Sequence, residues 1–139
     1  MAKELVGPRE KGIEENEGHQ PTVFIIEDND LTCRAMVETL VREGYQVLTA
    51  ASGHDALGIL QHPFATFDVV ILDVQLPDAS GIDICARLRD RYPTLPVIVC
   101  TGGASSEEVT QLLNLGIHRY FRKPIAPDEL LSVVEAALP

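Results

Sequence analysis

Short aliphatic runs alternate along the chain with segments whose apolar residues recur every three or four positions. The runs are residues 22–26 (TVFII), 45–50 (YQVLTA), 67–73 (FDVVILD), 95–101 (LPVIVCT) and 118–123 (HRYFRK), each of a length suited to a strand. The segments between them read as helices. The first is predicted over 31–43, with Asp30 as its cap and Gly44 as the left-handed residue that ends it. A second begins after Ser52 and stops before Pro63, a third spans 82–90, and a fourth spans 105–114 ahead of Gly116. The last starts near Pro127, a residue suited to the first helical turn, and runs to the end of the chain. There is no internal repeat.

Aliphatic strands that do not alternate polar with apolar residues are buried on both faces. Five of them interleaved with five helices predict an α/β domain, a flavodoxin-like doubly wound (βα)5 with a five-stranded parallel sheet of order 2-1-3-4-5. Residues 22–139 are assigned to this domain. Residues 1–21 mix Glu, Lys, Gly and Asn with few large apolar side chains, too few to offset the entropy of ordering, and are expected to form a flexible N-terminal tail or linker.

Composition narrows the setting and the partners. A chain of 139 residues can build one core without disulfides or a structural metal. Cys33, Cys85 and Cys100 are scattered and odd in number, which suits free thiols in a reducing cytoplasm. No apolar run approaches the ~20 residues of a membrane helix and no signal-peptide pattern opens the chain, so a cytoplasmic protein without membrane contact is expected. The net charge of -10, from 21 acids against 11 Lys and Arg, repels polyanions, and direct binding of nucleic acid is not expected.

Candidate chemistry gathers at the ends of the runs. In doubly wound sheets ligands bind outside the carboxyl ends of the strands, where the strand order reverses. The first strand ends in Glu27-Asp28, the third in Asp73, the fourth in Thr101 and the fifth in Lys123-Pro124. Three crowded carboxylates repel one another unless a cation joins them. Magnesium suits such a place, since it takes oxygen ligands and commonly shares one or two carboxylates with a phosphate. Lys123 is the only lysine outside the tail, and its compact ammonium can approach a carboxylate or phosphoryl oxygen more closely than a guanidinium fork. Each feature alone has a plainer account: an acid pair as turn and cap, Asp73 as a turn residue, Thr101 as structural, Lys-Pro as a loop. Their coincidence at carboxyl ends on the strands that meet at the switch point, with none at amino ends, favours a site.

Together the motifs resemble the receiver (response regulator) domain of bacterial two-component phosphorelay signalling. The resemblance covers about residues 22–138 and is carried by FIIEDND, by VVILDVQLPDASG with Asp73, Pro77 and Gly81, by the Thr closing VIVCT, and by FRKP. It implies that Asp73 is the phosphoacceptor, that Glu27 and Asp28 are the acid pair of a Mg²⁺ site, and that the backbone carbonyl of Gln75 is the third protein ligand. It also implies that Lys123 pairs with the phosphoryl group, that the Thr101 hydroxyl moves toward it, and that Tyr120 is an aromatic rotamer switch. Two departures stand out. Gly102 occupies a position that is usually Ala and is followed by Gly103, which predicts a more mobile loop after the fourth strand. Gln75 occupies a position that varies among relatives and leaves the phosphoryl lifetime open.

The resemblance gives an expected mechanism. Asp73 attacks the phosphorus of a phosphohistidine or small phosphodonor in line, with Mg²⁺ and Lys123 stabilising the equatorial oxygens. Thr101 then approaches the product and Tyr120 turns inward, biasing the fourth helix and fifth strand. The expected partner is a histidine kinase or histidine phosphotransfer protein, with a homodimer through the fourth helix, fifth strand and fifth helix as a further expectation. On the first helix Met36 and Leu40 face inward, with Ala35 and Thr39 extending that face. Cys33, Val37 and Val41, four apart, form a second stripe: either the edge of a broad buried face or a docking surface for the partner's helices. Four other readings compete. A haloacid dehalogenase-type phosphatase wants a second Asp where Gln75 stands, and a flavodoxin wants a Ser/Thr- and Gly-rich loop where EDNDLT is acidic. A non-phosphorylated pseudo-receiver would not need the intact set Glu27, Asp28, Asp73, Thr101 and Lys123. The receiver module of a hybrid histidine kinase would keep the same site.

Overall fold

The aliphatic runs form strands because each inner one serves two cores at once. In the computed structural model, which describes residues 20–139, five strands alternate with five helices. In chain order they are β1 (Thr22–Ile26), α1 (Asp30–Arg42), β2 (Gln46–Ala50), α2 (Gly53–Gln61), β3 (Val69–Leu72), α3 (Gly81–Arg91), β4 (Val97–Thr101), α4 (Ser106–Asn114), β5 (Arg119–Arg122) and α5 (Pro127–Ala137). All pairings are parallel and the strand order is β2-β1-β3-β4-β5, as the alternation predicts. The tail expected over 1–21 lies outside the described residues up to 19, while Pro21 O already accepts Gln46 N–H at 3.0 Å.

Side-chain alternation divides the sheet between its two layers. Phe24, Ile26, Val70, Leu72, Val97 and Val99 pack against Ala56 and Leu60 of α2, Ile84 and Leu88 of α3, and Leu112 of α4. Their neighbours Val23, Ile25, Val69, Ile71, Ile98 and Cys100 pack against Met36 and Leu40 of α1 and Leu130, Val133 and Val134 of α5. Each fully buried aliphatic side chain contributes ~1.5–3 kcal/mol, so no position of β3 is free to be polar until Asp73. Edge strands β2 and β5 are only partly buried. Strand β4 starts two residues later than predicted: Pro96 has no N–H to give, although its carbonyl accepts Val70 N–H at 3.0 Å.

Most helix ends follow their signals, and one expectation is corrected. Asn29, not Asp30, caps α1: its extended backbone lets the side chain accept Thr32 N–H at 2.9 Å. Asp30 is the first helical residue, where its charge complements the helix dipole and pairs with Arg34 at 3.0 Å. Ser52, Ser80 and Ser105 cap α2, α3 and α4, and Ser105 with Glu108 forms a reciprocal capping box. Gly44 and Gly116 follow α1 and α4 with left-handed φ of 96° and 76°. The α1 face is also corrected: Ala35 is exposed, whereas Cys33 and Val37 pack against the core. At 3.6 residues per turn Ala35 lies roughly 120° from the centre of the Met36–Leu40 face and Cys33 only about 40° from it.

Arg89 of α3 makes a connection that no periodicity announces. Its guanidinium donates to the carbonyls of Leu115 (2.8 Å), Gly116 (3.2 Å), Tyr92 (3.3 Å), Pro93 (2.8 Å) and Leu95 (2.9 Å). It joins the end of α3, the approach to β4 and the turn after α4 at the amino edge of the sheet. Cys33, Cys85 and Cys100 are free, and burial pushes the Cys100 thiol up to about 11. Among the described residues no helix is long and apolar enough to cross a membrane.

Candidate functional site

Ladder hydrogen bonds continue past the strand ends and thereby build the site. Asp73 N–H donates to Ile26 O and Glu27 N–H to Ala50 O, both at 3.0 Å, and Lys123 N–H donates to Thr101 O at 2.9 Å. The sheet itself therefore holds these polar residues at its carboxyl edge. Glu27 and Asp73 are 2% and 4% exposed, Thr101 is fully buried, and Asp28 faces solvent.

Lys123 sits between two buried carboxylates. Its Nζ donates to Asp73 Oδ2 at 2.8 Å and pairs with Glu27 Oε1 at 2.6 Å. The other carboxylate oxygens are held by the main chain: Glu27 Oε2 accepts Asn29 N–H and Asp73 Oδ1 accepts Gln75 N–H, each at 3.0 Å. Burial raises the Glu27 carboxyl above its ordinary pKa, although Lys123 and Asn29 pull against it. Burial also disfavours the Lys123 ammonium, but its bonds to Asp73 and Glu27 outweigh that and raise its pKa.

The residues present fit a small hard cation. Carboxylate oxygens of Glu27, Asp28 and Asp73 come within 4.8 Å of one another. Three carboxylates against one ammonium leave an excess of negative charge among oxygen donors, the setting magnesium prefers. Thr101 Oγ1 is buried and without a hydrogen-bond partner among the described residues. Leaving a hydroxyl idle costs ~1–3 kcal/mol, and this one is free to donate to an anionic oxygen entering the site.

Lys123→Met is expected to expose the dependence on this counterion. Breaking a fully buried ion pair costs ~3–5 kcal/mol, and the partial exposure of Lys123 reduces that to about 2–3 kcal/mol at neutral pH without divalent cations. A Glu27 pKa raised above 4.5 means that the folded state holds the proton more tightly, so stability is gained as pH falls through the folded pKa and lost as it rises. Removing Lys123 raises that pKa further. The variant's deficit should therefore shrink as the pH is lowered from neutrality in urea melts with chelator. A deficit independent of pH would show that Lys123 is not the counterion of Glu27.

The remaining predicted residues fall at different distances from this cluster. Tyr120 is half-buried opposite Val99, two residues before Thr101, so both lie on the sheet face covered by α2, α3 and α4. Gln75 is at the cluster: its N–H bonds Asp73 and its side chain turns to Gly103. Cys33, Val37 and Val41 stand apart, lining a groove of about 1020 Å³ with Val47 and Thr49 of β2. One contributor went unseen in the sequence. Asp78 accepts Gly53 N–H at 2.7 Å and His54 N–H at 2.9 Å, supplying two caps to α2 from the loop after Asp73, and these bonds hold its carboxyl below the usual range. The signal at Pro77-Asp78 read only as a turn.

Known proteins share both the sequence and the shape of this stretch. The family described as the response regulator receiver domain matches residues 23–135. The transcriptional regulatory protein KdpE of Mycobacterium tuberculosis is 42% identical over 117 residues, covering 84% of this chain and 50% of that protein. AfsQ1 of Streptomyces coelicolor, also a transcriptional regulatory protein, is 37% identical over 120 residues, 85% of this chain and 51% of its own. The chain thus spans about half the length of the curated relatives it matches. Among solved structures, a CheY-like receiver domain protein from Methanospirillum hungatei superposes with a TM-score of 0.81 at 27% identity, over 85% of this chain and 93% of that one. The chemotaxis response regulator CheY4 of Vibrio cholerae gives 0.78 at 30% identity, over 86% and 100%. The matched stretch holds the acid pair, Asp73, Thr101 and Lys123 on the strand order that brings them together, and the chain belongs to the response regulator receiver domain family.

Proposed function

We propose that Asp73 accepts a phosphoryl group from a histidine kinase or histidine phosphotransfer protein in a magnesium-dependent reaction, and that the domain then changes conformation to signal onward. One observation carries this reading: a buried carboxylate 2.8 Å from Lys123, beside the Glu27–Asp28 pair. An Asp73 oxygen forms the new O–P bond as the donor's N–P bond breaks, the electron pair staying with the imidazole, which takes a proton from solvent. Lys123 turns its ammonium to one non-bridging oxygen and Thr101 Oγ1 donates to another. Asp28, Asp73, Glu27 and the Gln75 carbonyl would hold magnesium, which would neutralise charge on the transferring group. The domain is in this sense a phosphoacceptor that catalyses its own phosphorylation. Movement of Thr101 toward the phosphoryl group would vacate space for the Tyr120 ring on the same sheet face.

The setting and partners follow the same reading. We place the domain in the cytoplasm, where free thiols such as Cys33, Cys85 and Cys100 persist. A homodimer through α4, β5 and α5 would use Leu113, exposed on α4, and Phe121, whose ring lies under Arg119 at 5.0 Å. Incubation with acetyl phosphate should add one phosphoryl group to the intact mass only when Mg²⁺ is present. Mg²⁺ alone should raise the melting temperature by mass action, and Asp28→Ala should remove most of that shift. Labelling without Mg²⁺, or a melt blind to it, would overturn the metal reading.

Partner docking is proposed at the α1 groove. Cys33 and Val37 lean on the core, whereas Val41 is 53% exposed and is the residue to test. Val41→Lys should slow transfer from the partner kinase about tenfold, the effect of losing ~1.4 kcal/mol at an interface. Acetyl phosphate labelling and melting temperature should stay at wild-type values. Loss of both labelling routes together would place docking elsewhere.

A further inference from the structure

The side-chain amide of Gln75 reaches out of the loop after β3 and donates to Gly103 O at 2.9 Å. Gln75 lies two residues past Asp73 and Gly103 two past Thr101. Strands β3 and β4 are neighbours, with Leu72 opposite Val99, so this bond links the two loops that leave the site side by side. A longer contact comes from the opposite flank, Arg122 Nη2 to Gly102 O at 3.4 Å. Among the described residues these are the side-chain bonds that reach the loop between Thr101 and the Ser105 cap of α4.

That loop has little to hold its own shape. Neither Gly102 nor Gly103 has a positive φ, and a Cβ on either would meet nothing within 4 Å. Neither turn geometry nor crowding requires glycine there, and what the pair adds is backbone freedom. The first fixed point beyond it is the reciprocal cap between Ser105 and Glu108.

We propose that Gln75 is a positioning residue whose side-chain amide latches the β4–α4 loop at rest and so fixes where Thr101 and the start of α4 stand before phosphorylation. The proposal deepens the function given above and takes its significance from that reading, but the latch belongs to the resting protein. The main chain of Gln75 touches the phosphoacceptor through its N–H, and its side chain touches the loop that must respond. Motion of Thr101 would carry Gly103 with it, and a bond that holds the loop in its resting position opposes displacement from that position. A single exposed hydrogen bond of this kind is worth roughly two- to tenfold in an equilibrium constant.

The test is hydrogen exchange at the amides of residues 102–105 in unphosphorylated protein without Mg²⁺, comparing wild type, Gln75→Met and Gln75→Lys. Met keeps the length and loses the donor; Lys keeps a donor. Exchange in the loop should rise roughly two- to tenfold in Gln75→Met and stay near wild type in Gln75→Lys, with β3 and α5 unchanged. Beryllofluoride with Mg²⁺ should then bind Gln75→Met more tightly by the same factor, because the latch no longer opposes the switch. Unchanged loop exchange in Gln75→Met, acceleration spread over the whole domain, or equal acceleration in Gln75→Lys would overturn the latch. Faster exchange without tighter beryllofluoride binding would overturn its role as a threshold. Failure of wild type to bind beryllofluoride would instead count against phosphoacceptance at Asp73 and leave the exchange result standing.

Discussion

Asp73→Asn is expected to take up no phosphoryl group from acetyl phosphate and Mg²⁺ under conditions that label the wild type fully. Asn has nearly the same shape and its amide oxygen can still accept from Lys123, so the pocket need not collapse. What disappears is the anionic oxygen that must form the O–P bond. The substitution also removes one of three carboxylates crowded within 4.8 Å, which relieves repulsion and offsets part of the lost pairing with Lys123. A melting temperature close to wild type is therefore expected alongside complete loss of labelling, as read by intact mass. Label at wild-type stoichiometry in the variant would assign the nucleophile to another carboxylate.

Gly81→Ala is expected to lose about 2–3 kcal/mol of stability, lowering the melting temperature by roughly 10 °C, and to slow labelling of Asp73. Gly81 opens α3 and donates its N–H to Val74 O at 2.8 Å. A Cβ there would strike Val74 Cα and lie 2.6 Å from Asp73 O and 2.9 Å from Val74 O. These are main-chain atoms of the segment that carries Asp73, so relief of the clash must move it. Helix propensity alone argues the opposite sign, since Ala is favoured over Gly by ~1 kcal/mol inside a helix. Gly58→Ala separates the two effects: Gly58 is an exposed position of α2 with nothing within 4 Å of a built Cβ. There the substitution should add about 0.5–1 kcal/mol. Equal behaviour of the two variants in chemical melts would remove the steric account of Gly81.

The site was legible in the sequence where its position follows from the sheet. Asp73, Thr101 and Lys123 each close a short run of residues, and the order 2-1-3-4-5 brings such ends together, so strand assignment alone groups them. Runs such as VVIL announce burial on both faces because neighbouring residues feed different cores. What stayed hidden depends on contacts between distant segments. Asp78 caps a helix that begins 25 residues earlier in the chain, yet its local signal is only that of a turn. Arg89 reads as one of several charges on an amphipathic helix, and nothing near it reveals the carbonyls of Leu115 and Gly116. The cap of α1 was missed by one residue because Asn29 and Asp30 both suit that role, and only the extended backbone at Asn29 decides between them.

The guanidinium of Arg89 gives α4 one anchored end. The carbonyls of Leu115 and Gly116, just past the helix, are tied to α3, whereas the opposite end emerges from two glycines beside Thr101. A nine-residue helix is about 13 Å long, so it can act as a lever with its fulcrum at Leu115 and its tip at the end of the loop that leaves Thr101. Small displacements at Thr101 would then swing the first turn of α4 sideways and fade toward its foot. Ser106 and Glu107 would travel farthest, and Asn114 would hardly move.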